Sequence, residues 1–153
     1  ALQLEKAAGV ELAYIPSNKG GAGAMKSVIA GEVLGGVNNL SDAYRAREAG
    51  NVKILGVFDL ERNSFMEDVP TMAEQGFDID NASVNFRGVM VPKGTPQAII
   101  DHLAVVVPTM FENRRVKGKM AAGGSPMHIM TRDEVLAMWA ARQVTLKELL
   151  SGL

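Results

Sequence analysis

The sequence predicts an α/β fold built on an open, largely parallel sheet, and three observations carry that prediction. Apolar segments with strand texture alternate with helical patterns in the order β-α-β-α-β through roughly the first eighty residues. The links between them are short and punctuated by glycine. The segment "VKILGVF", Val52 to Phe58, is almost continuously apolar, as a strand is when both faces of a parallel sheet are covered.

Taken in order, Leu2 to Ala8 has a helical pattern and Gly9 stands where a left-handed residue ends a helix. Val10 to Ile15 reads as a strand stopped by Pro16. After the glycine-rich stretch, Ala24 to Ala30 reads as a helix closed by Gly31, and Val33 to Val37 as the next strand. Ser41 is placed to cap a helix from Asp42 to Ala49, with Gly50 closing it. Beyond Phe58 a polar connection leads to "TMAEQG", a short helix expected from Thr71 with Glu74 three residues on. "SVNFRGVMVP" reads as a strand. Thr95 as N-cap and Pro96 at the first helical position open a long helix, which Pro108 should kink or end. "MHIM" is a short strand candidate. Thr131 and Glu134 form a second capping-box pattern, and Val135, Trp139, Leu146, Leu150 and Leu153 then fall on one helical face. The texture changes near residues 80–88, which sets the expected division into residues 1–83 and 84–153.

Composition narrows the function. With 47% hydrophobic and 22% charged residues the chain should bury a core. A net charge of −1 with both signs interspersed gives no footprint for nucleic acid. No apolar run approaches the roughly 20 residues that span a bilayer. The absence of cysteine removes thiol catalysis, cysteine-ligated zinc and disulfides. The chain opens inside a helical pattern without a cap, so Ala1 is expected to be a cut end with an upstream part missing.

The stretch "YIPSNKGGAGAMKSVIAGEV" has the materials of an anion site. It is not a Walker loop, because Lys19 precedes the glycines instead of following them. It is not a dinucleotide fingerprint, because Lys26 stands where the third glycine belongs. A glycine-rich turn into a helix still exposes backbone N–H groups at the positive end of the helix dipole, which suits a carboxylate as well as a phosphate. The plainer alternative is a tight turn that needs glycine. His102 and His128 lack a second ligand at metal spacing, and Ser125 is followed by proline where a nucleophile elbow would supply an N–H. Asp59, Glu61 and Arg62 read as a solvated link, and Met25, Met66 and Met72 as core fillers. Arg87, in the otherwise apolar "NFRGVMVP", needs a partner. A carboxylate ligand suits its two-pronged geometry, and a local acid such as Asp80 is the alternative.

Five segments in order and spacing resemble the solute-binding proteins of tripartite tricarboxylate transporters, the Bug family. They are "LAYIPSNKGGAGAMKSVIAGEV", "GGVNNLSDAYRAREAGNVKILGVF", "DVPTMAEQGFDI", "NFRGVMVPKGTPQAIIDHL" and the final helix. The resemblance implies a periplasmic-binding-protein type II-like Venus flytrap, here one nearly complete lobe (residues 1–83) plus the returning part of the other (84–153). It implies capture of a small di- or tricarboxylate, delivery to membrane permease subunits, a periplasmic location after signal removal, no cofactor and no catalysis. The ligand-facing residues it implies are Asn18, Lys19, Gly20, Gly21 and Ala22, then Asn39 and Ser41, then Phe86 and Arg87. The chain departs from the family in "SN" after Pro16 and in lacking the family's N-terminal half. A half-cleft of this kind should bind weakly and expose apolar helix faces, which implies a homo-oligomer or segment exchange. The alternative is a sensory or scaffolding carboxylate-binding domain of the same fold without transport.

Overall fold

The computed structural model describes residues 1–151. Leu153, expected on the apolar face of the last helix, lies outside the described residues. Among the described residues six α-helices follow one another: α1 (Leu2–Ala8), α2 (Gly20–Ile29), α3 (Leu40–Glu48), α4 (Gln97–Thr109), α5 (Arg114–Ala122) and α6 (Arg132–Leu150). A 3-10 turn, Met110–Glu112, joins α4 to α5.

The α/β expectation does not hold. Among the described residues there is no sheet, and so no Venus-flytrap lobe. Strand pairing is reduced to one isolated parallel bridge between Val57 and Thr71. There the Val57 N–H donates to the Pro70 carbonyl at 3.0 Å and the Met72 N–H to the Val57 carbonyl at 2.9 Å. Residues 10–15, 33–37, 83–92 and 127–130, all with strand texture in the sequence, form none. The physical reason is that an apolar run states only that a segment is suited to burial, whereas a strand exists through hydrogen bonds to a neighbour. Without a neighbour these residues stay open, and Leu34, Tyr14, Ile15 and Leu55 are all largely exposed.

The helix ends follow local rules more closely. α2 and α3 close by the same device: Gly31 and Gly50 take φ of 73° and 72°. The N–H of the following residue then reaches back five positions, Glu32 to the Ser27 carbonyl and Asn51 to the Ala46 carbonyl, each at 2.9 Å. The starts differ from expectation. α2 begins at Gly20 and takes in the glycines expected to form a loop. α3 begins at Leu40 with Asn39 in the N-cap position, so Ser41 lies inside the helix and is not its cap. Pro96, not Thr95, borders α4, and the Thr95 hydroxyl donates instead to the Pro92 carbonyl at 2.8 Å. One residue beyond Pro108, α4 gives way to the tighter 3-10 turn.

The chain divides into two compact units. The first is Ala1–Val84 with Gly123–Pro126; the second is Asn85–Ala122 with the residues from Met127 onward. Among the described residues the buried apolar side chains all belong to the first: Met25, Ala46, Met66, Val69, Met72, Ile79 and Ala82. Three of the seven are methionines, whose unbranched thioethers fill irregular space among loops. Arg62 is exposed, as a solvated link requires, but it is also anchored. Its Nε donates to both Glu74 carboxylate oxygens at 2.9 and 2.8 Å, and its Nη1 to the Glu67 carbonyl at 2.8 Å. The "TMAEQG" segment forms turns, not a helix. Its capping-box bonds are nevertheless present, Thr71 N–H to Glu74 Oε2 at 2.7 Å and Glu74 N–H to Thr71 Oγ1 at 3.1 Å. A second ion pair, Arg47 with Asp68 at 2.7 Å, ties α3 to the same region.

In the second unit α4, α5 and α6 have no buried residue. Phe86 packs against Trp139 with ring centroids 6.2 Å apart, and the Arg142 guanidinium carbon lies 5.4 Å from the Phe86 centroid. α6 carries the complete capping box that its sequence predicts, with Thr131 as N-cap.

Candidate functional site

The first unit brings together two of the segments expected to face a ligand: the glycine loop and the "NNLS" turn. α2 begins where Ser17 folds the chain back. Its hydroxyl accepts from the Lys19 N–H at 3.3 Å and donates to the Gly20 carbonyl at 3.1 Å. Gly20 takes a left-handed φ of 64°, which lets the chain turn directly into the helix. Lys19 is the N-cap and gives no side-chain bond to the helix start, so the first amides of α2 have no acceptor from that side chain. Asn18, Lys19, Gly20 and Ala22 are exposed and Gly21 is half-buried.

The start of α3 stands against this loop. A methyl group placed on Gly21 would sit 2.5 Å from Asp42 Oδ2 and 3.8 Å from Asn38 Oδ1. On the other side of the Asn38 amide, a methyl on Gly36 would sit 2.9 Å from Asn38 Nδ2. Asn38 Oδ1 is buried and has no hydrogen-bond partner. Asp42, whose side chain is 25% exposed, meets Arg45 at 3.6 Å through Oδ1, and its Oδ2 makes no hydrogen bond among the described residues. Asn39 holds the α3 start through its carbonyl, which accepts from the Asp42 and Ala43 N–H groups at 3.1 and 3.2 Å. Ser41 contributes its carbonyl to Arg45 Nε at 3.0 Å. The loop thus combines a few backbone donors with two side-chain acceptors.

Ser17, Asn38 and Asp42 were missed by sequence reasoning. The signal for Asn38 and Asp42 was present in "NNLSD", whose first and last residues flank those singled out. Their proximity to Gly21 depends on how α2 packs on α3, which the spacing does not state. In the second unit Phe86 is engaged by Trp139 and Arg142. Arg87 is exposed and makes no hydrogen bond or ion pair among the described residues. Asp80, offered as its local partner, accepts instead from the Gln3 side-chain amide and from the Ala82 N–H at 2.9 Å. A separate open groove of about 280 Å³ lies between α4 and the start of α6, lined by Asp101, Val105, Thr131, Arg132 and Asp133 among others. None of the expected ligand-facing residues lines it. Among the described residues no group of three histidine, aspartate or glutamate side chains is placed to hold a metal ion. No described helix is long and apolar enough to cross a membrane.

Residues 1–145 match the family described as the tripartite tricarboxylate transporter family receptor. The chain belongs to that family. It is 31% identical over 129 residues to the UPF0065 protein in the tcbD-tcbE intergenic region of Pseudomonas sp. (strain P51), covering 78% of this chain and 37% of that protein. It is likewise 31% identical over 116 residues to Protein BugT of Bordetella pertussis, covering 76% of this chain and 35% of BugT. The chain therefore spans little more than a third of the length of these relatives.

Proposed function

We propose that the chain is the ligand-binding part, or a portion of it, of an extracytoplasmic receptor that captures a small di- or tricarboxylate and presents it to the membrane subunits of a tripartite tricarboxylate transporter. The family match over residues 1–145 carries this reading. Two features of the structure support it. The start of α2 offers backbone amides at the positive end of a ten-residue helix. Arg87 offers an exposed guanidinium with no partner among the described residues, suited to a carboxylate held by two hydrogen bonds. The receptor acts by binding and release, in the periplasm, and needs no cofactor.

Isothermal titration of the chain with citrate, malate, succinate, glutamate, phosphate and ATP at fixed ionic strength tests the reading. Binding of a di- or tricarboxylate but not of ATP is the expected result. Arg87→Ala should weaken that binding by about tenfold or more, the worth of a charge-assisted hydrogen bond. Undiminished binding by the variant would remove Arg87 from the site. Binding of none of the carboxylates would overturn the reading for this chain.

A further inference from the structure

We infer that the exposed face of α5 is a docking surface for the anionic headgroups of a phospholipid bilayer. The inference stands apart from the ligand site, and it suits a receptor whose proposed partners are membrane subunits. Its basis is an uneven distribution of charge. The chain as a whole carries −1. The second compact unit holds nine lysine and arginine residues against five acids, a net +4, and the first holds seven against twelve, a net −5. The excess in the second unit centres on α5. Arg114, Arg115, Lys117 and Lys119 fall there within six residues, and Arg114–Ala122 contains no acid. All four are exposed, and none makes a side-chain hydrogen bond or ion pair among the described residues. In the first unit, by contrast, Arg45, Arg47 and Arg62 each meet an acid.

Successive residues of a helix are turned by about 100°. The four cations of α5 therefore share one broad arc, and Val116 and Met120, both half-buried, lie on the opposite side. Gly118 falls in the middle of the arc, and a side chain built there would meet nothing within 4 Å. The face is thus open, of one sign and without a large apolar side chain. A protein partner that docks specifically does so around buried aromatic or aliphatic anchors, and this face offers none. A lipid surface needs no such anchor. Its headgroups form a mobile lattice of negative charge, and each lysine or arginine held near it favours association by about fivefold. Charges are screened beyond about 8 Å at physiological ionic strength, so the local face governs and not the net charge of the chain. With Val116 and Met120 turned away from the arc, no apolar side chain of α5 enters the acyl region. The contact is electrostatic and weakens with salt.

Sedimentation of the chain with vesicles tests this, using equal parts phosphatidylcholine and phosphatidylglycerol against phosphatidylcholine alone. The chain should pellet with the anionic vesicles at low salt, be released at high salt, and stay in solution with the neutral ones. Arg114→Gln, Arg115→Gln, Lys117→Gln and Lys119→Gln together should lower the partition coefficient by about a hundredfold or more. Lys6→Gln, Lys53→Gln, Lys93→Gln and Lys147→Gln together remove as many charges elsewhere and should change it by less than about fivefold. Gly118→Glu places one negative charge in the middle of the face, where nothing in the chain obstructs it. It should weaken association by about fivefold or more, and it serves as the test if the fourfold α5 variant does not fold. Equal pelleting with both kinds of vesicle would overturn the inference, as would an equal loss from the two fourfold variants. Release by glycerol phosphate at matched ionic strength would make α5 a site for a single phosphate and not for a surface. Retention on an acidic polypeptide without pelleting on vesicles would assign the face to a protein partner instead. Carboxylate titration of the α5 variants should be unchanged, so either outcome leaves ligand capture to be judged separately.

Discussion

Gly124 is where one added methyl group should be felt most. It is buried, takes a left-handed φ of 63°, and an ideal Cβ on it would meet the Tyr44 ring at 2.5–2.8 Å. Tyr44 is also held by Phe65, which it meets edge-on with ring centroids 6.4 Å apart. Gly124→Ala should therefore cost about 2–4 kcal/mol, combining left-handed strain with overpacking, and thermal unfolding would show it. An unchanged melting temperature would mean that Tyr44 is free to move. Glu74 gives a prediction in pH. The Arg62 hydrogen bonds, and then the Thr71 amide, hold its carboxyl below the usual 4.5. Between the folded and unfolded values the unfolded chain binds more protons, so stability rises with pH there. The contribution is complete above 4.5 and is lost as pH falls through the lower folded value. Glu74→Gln should thus be less stable than the parent at pH 7, and the gap should close as urea unfolding is repeated below pH 4.5. A gap of constant size down to pH 3 would show that the clamp does not depend on the charge. Residue-scale legibility was uneven. The methionine core of Met66 and Met72 could be read, since their size and flexibility are intrinsic. The role of Arg62 could not, because Glu74 is twelve positions away and reaches it only through the folded loop.

At the scale of elements, the capping boxes form an informative pair. Thr131 and Glu134 close the start of a nineteen-residue helix, while Thr71 and Glu74 make the same reciprocal bonds around a run of turns. The motif specifies four residues, and the residues C-terminal to it decide whether a helix grows. "EQGF" ends the growth at once, with Gly76 at φ 89°; the nineteen residues after Thr131 contain neither glycine nor proline. Thr131→Ala should destabilise α6 by about 1 kcal/mol, with a loss of helical circular dichroism on mild heating. Thr71→Ala should lower stability without a loss of helical signal. A helical loss in both variants would contradict the turn assignment. The same contrast explains which elements were legible. Gly9, Gly31, Gly50 and Thr131 mark helix ends through bonds within a few residues, so the sequence stated them. The strands at 10–15, 33–37 and 52–58 needed partners distant in the chain, and alternation alone could not supply those. The candidate site shared this limit. "NNLSD" and "NKGGAG" both stand out in the sequence, but Asp42 and Asn38 acquire their meaning only from the packing of α3 beside Gly21.

Across the whole molecule, stability is concentrated in the first unit. Its core gathers around residues 63–82, where Met66 is 1% and Thr71 2% exposed, and the two ion pairs of Arg62 and Arg47 fasten the same loops. The second unit has helices with well-formed ends but no buried residue in α4, α5 or α6. Val105 and Val144 are 70% and 68% exposed. Burial of apolar surface contributes about 25 cal/mol per Å²; isolated helices shorter than about 12–15 residues are marginal in water, and longer ones in proteins still draw most of their stability from packing. The free energy for opening α4 or α6 should accordingly be small, and that for opening the region around the Val57–Thr71 bridge should approach the global value. Native-state amide exchange on the chain alone should show the amides of α4 and α6 exchanging well before those of Met66 and Met72. Added denaturant should shift the slow group and leave the fast group nearly unchanged, because local opening exposes little new surface. Protection in α6 equal to that at Met72 would mean that its apolar side chains are covered in solution, and the exposed face of the second unit would then have to be assigned a partner.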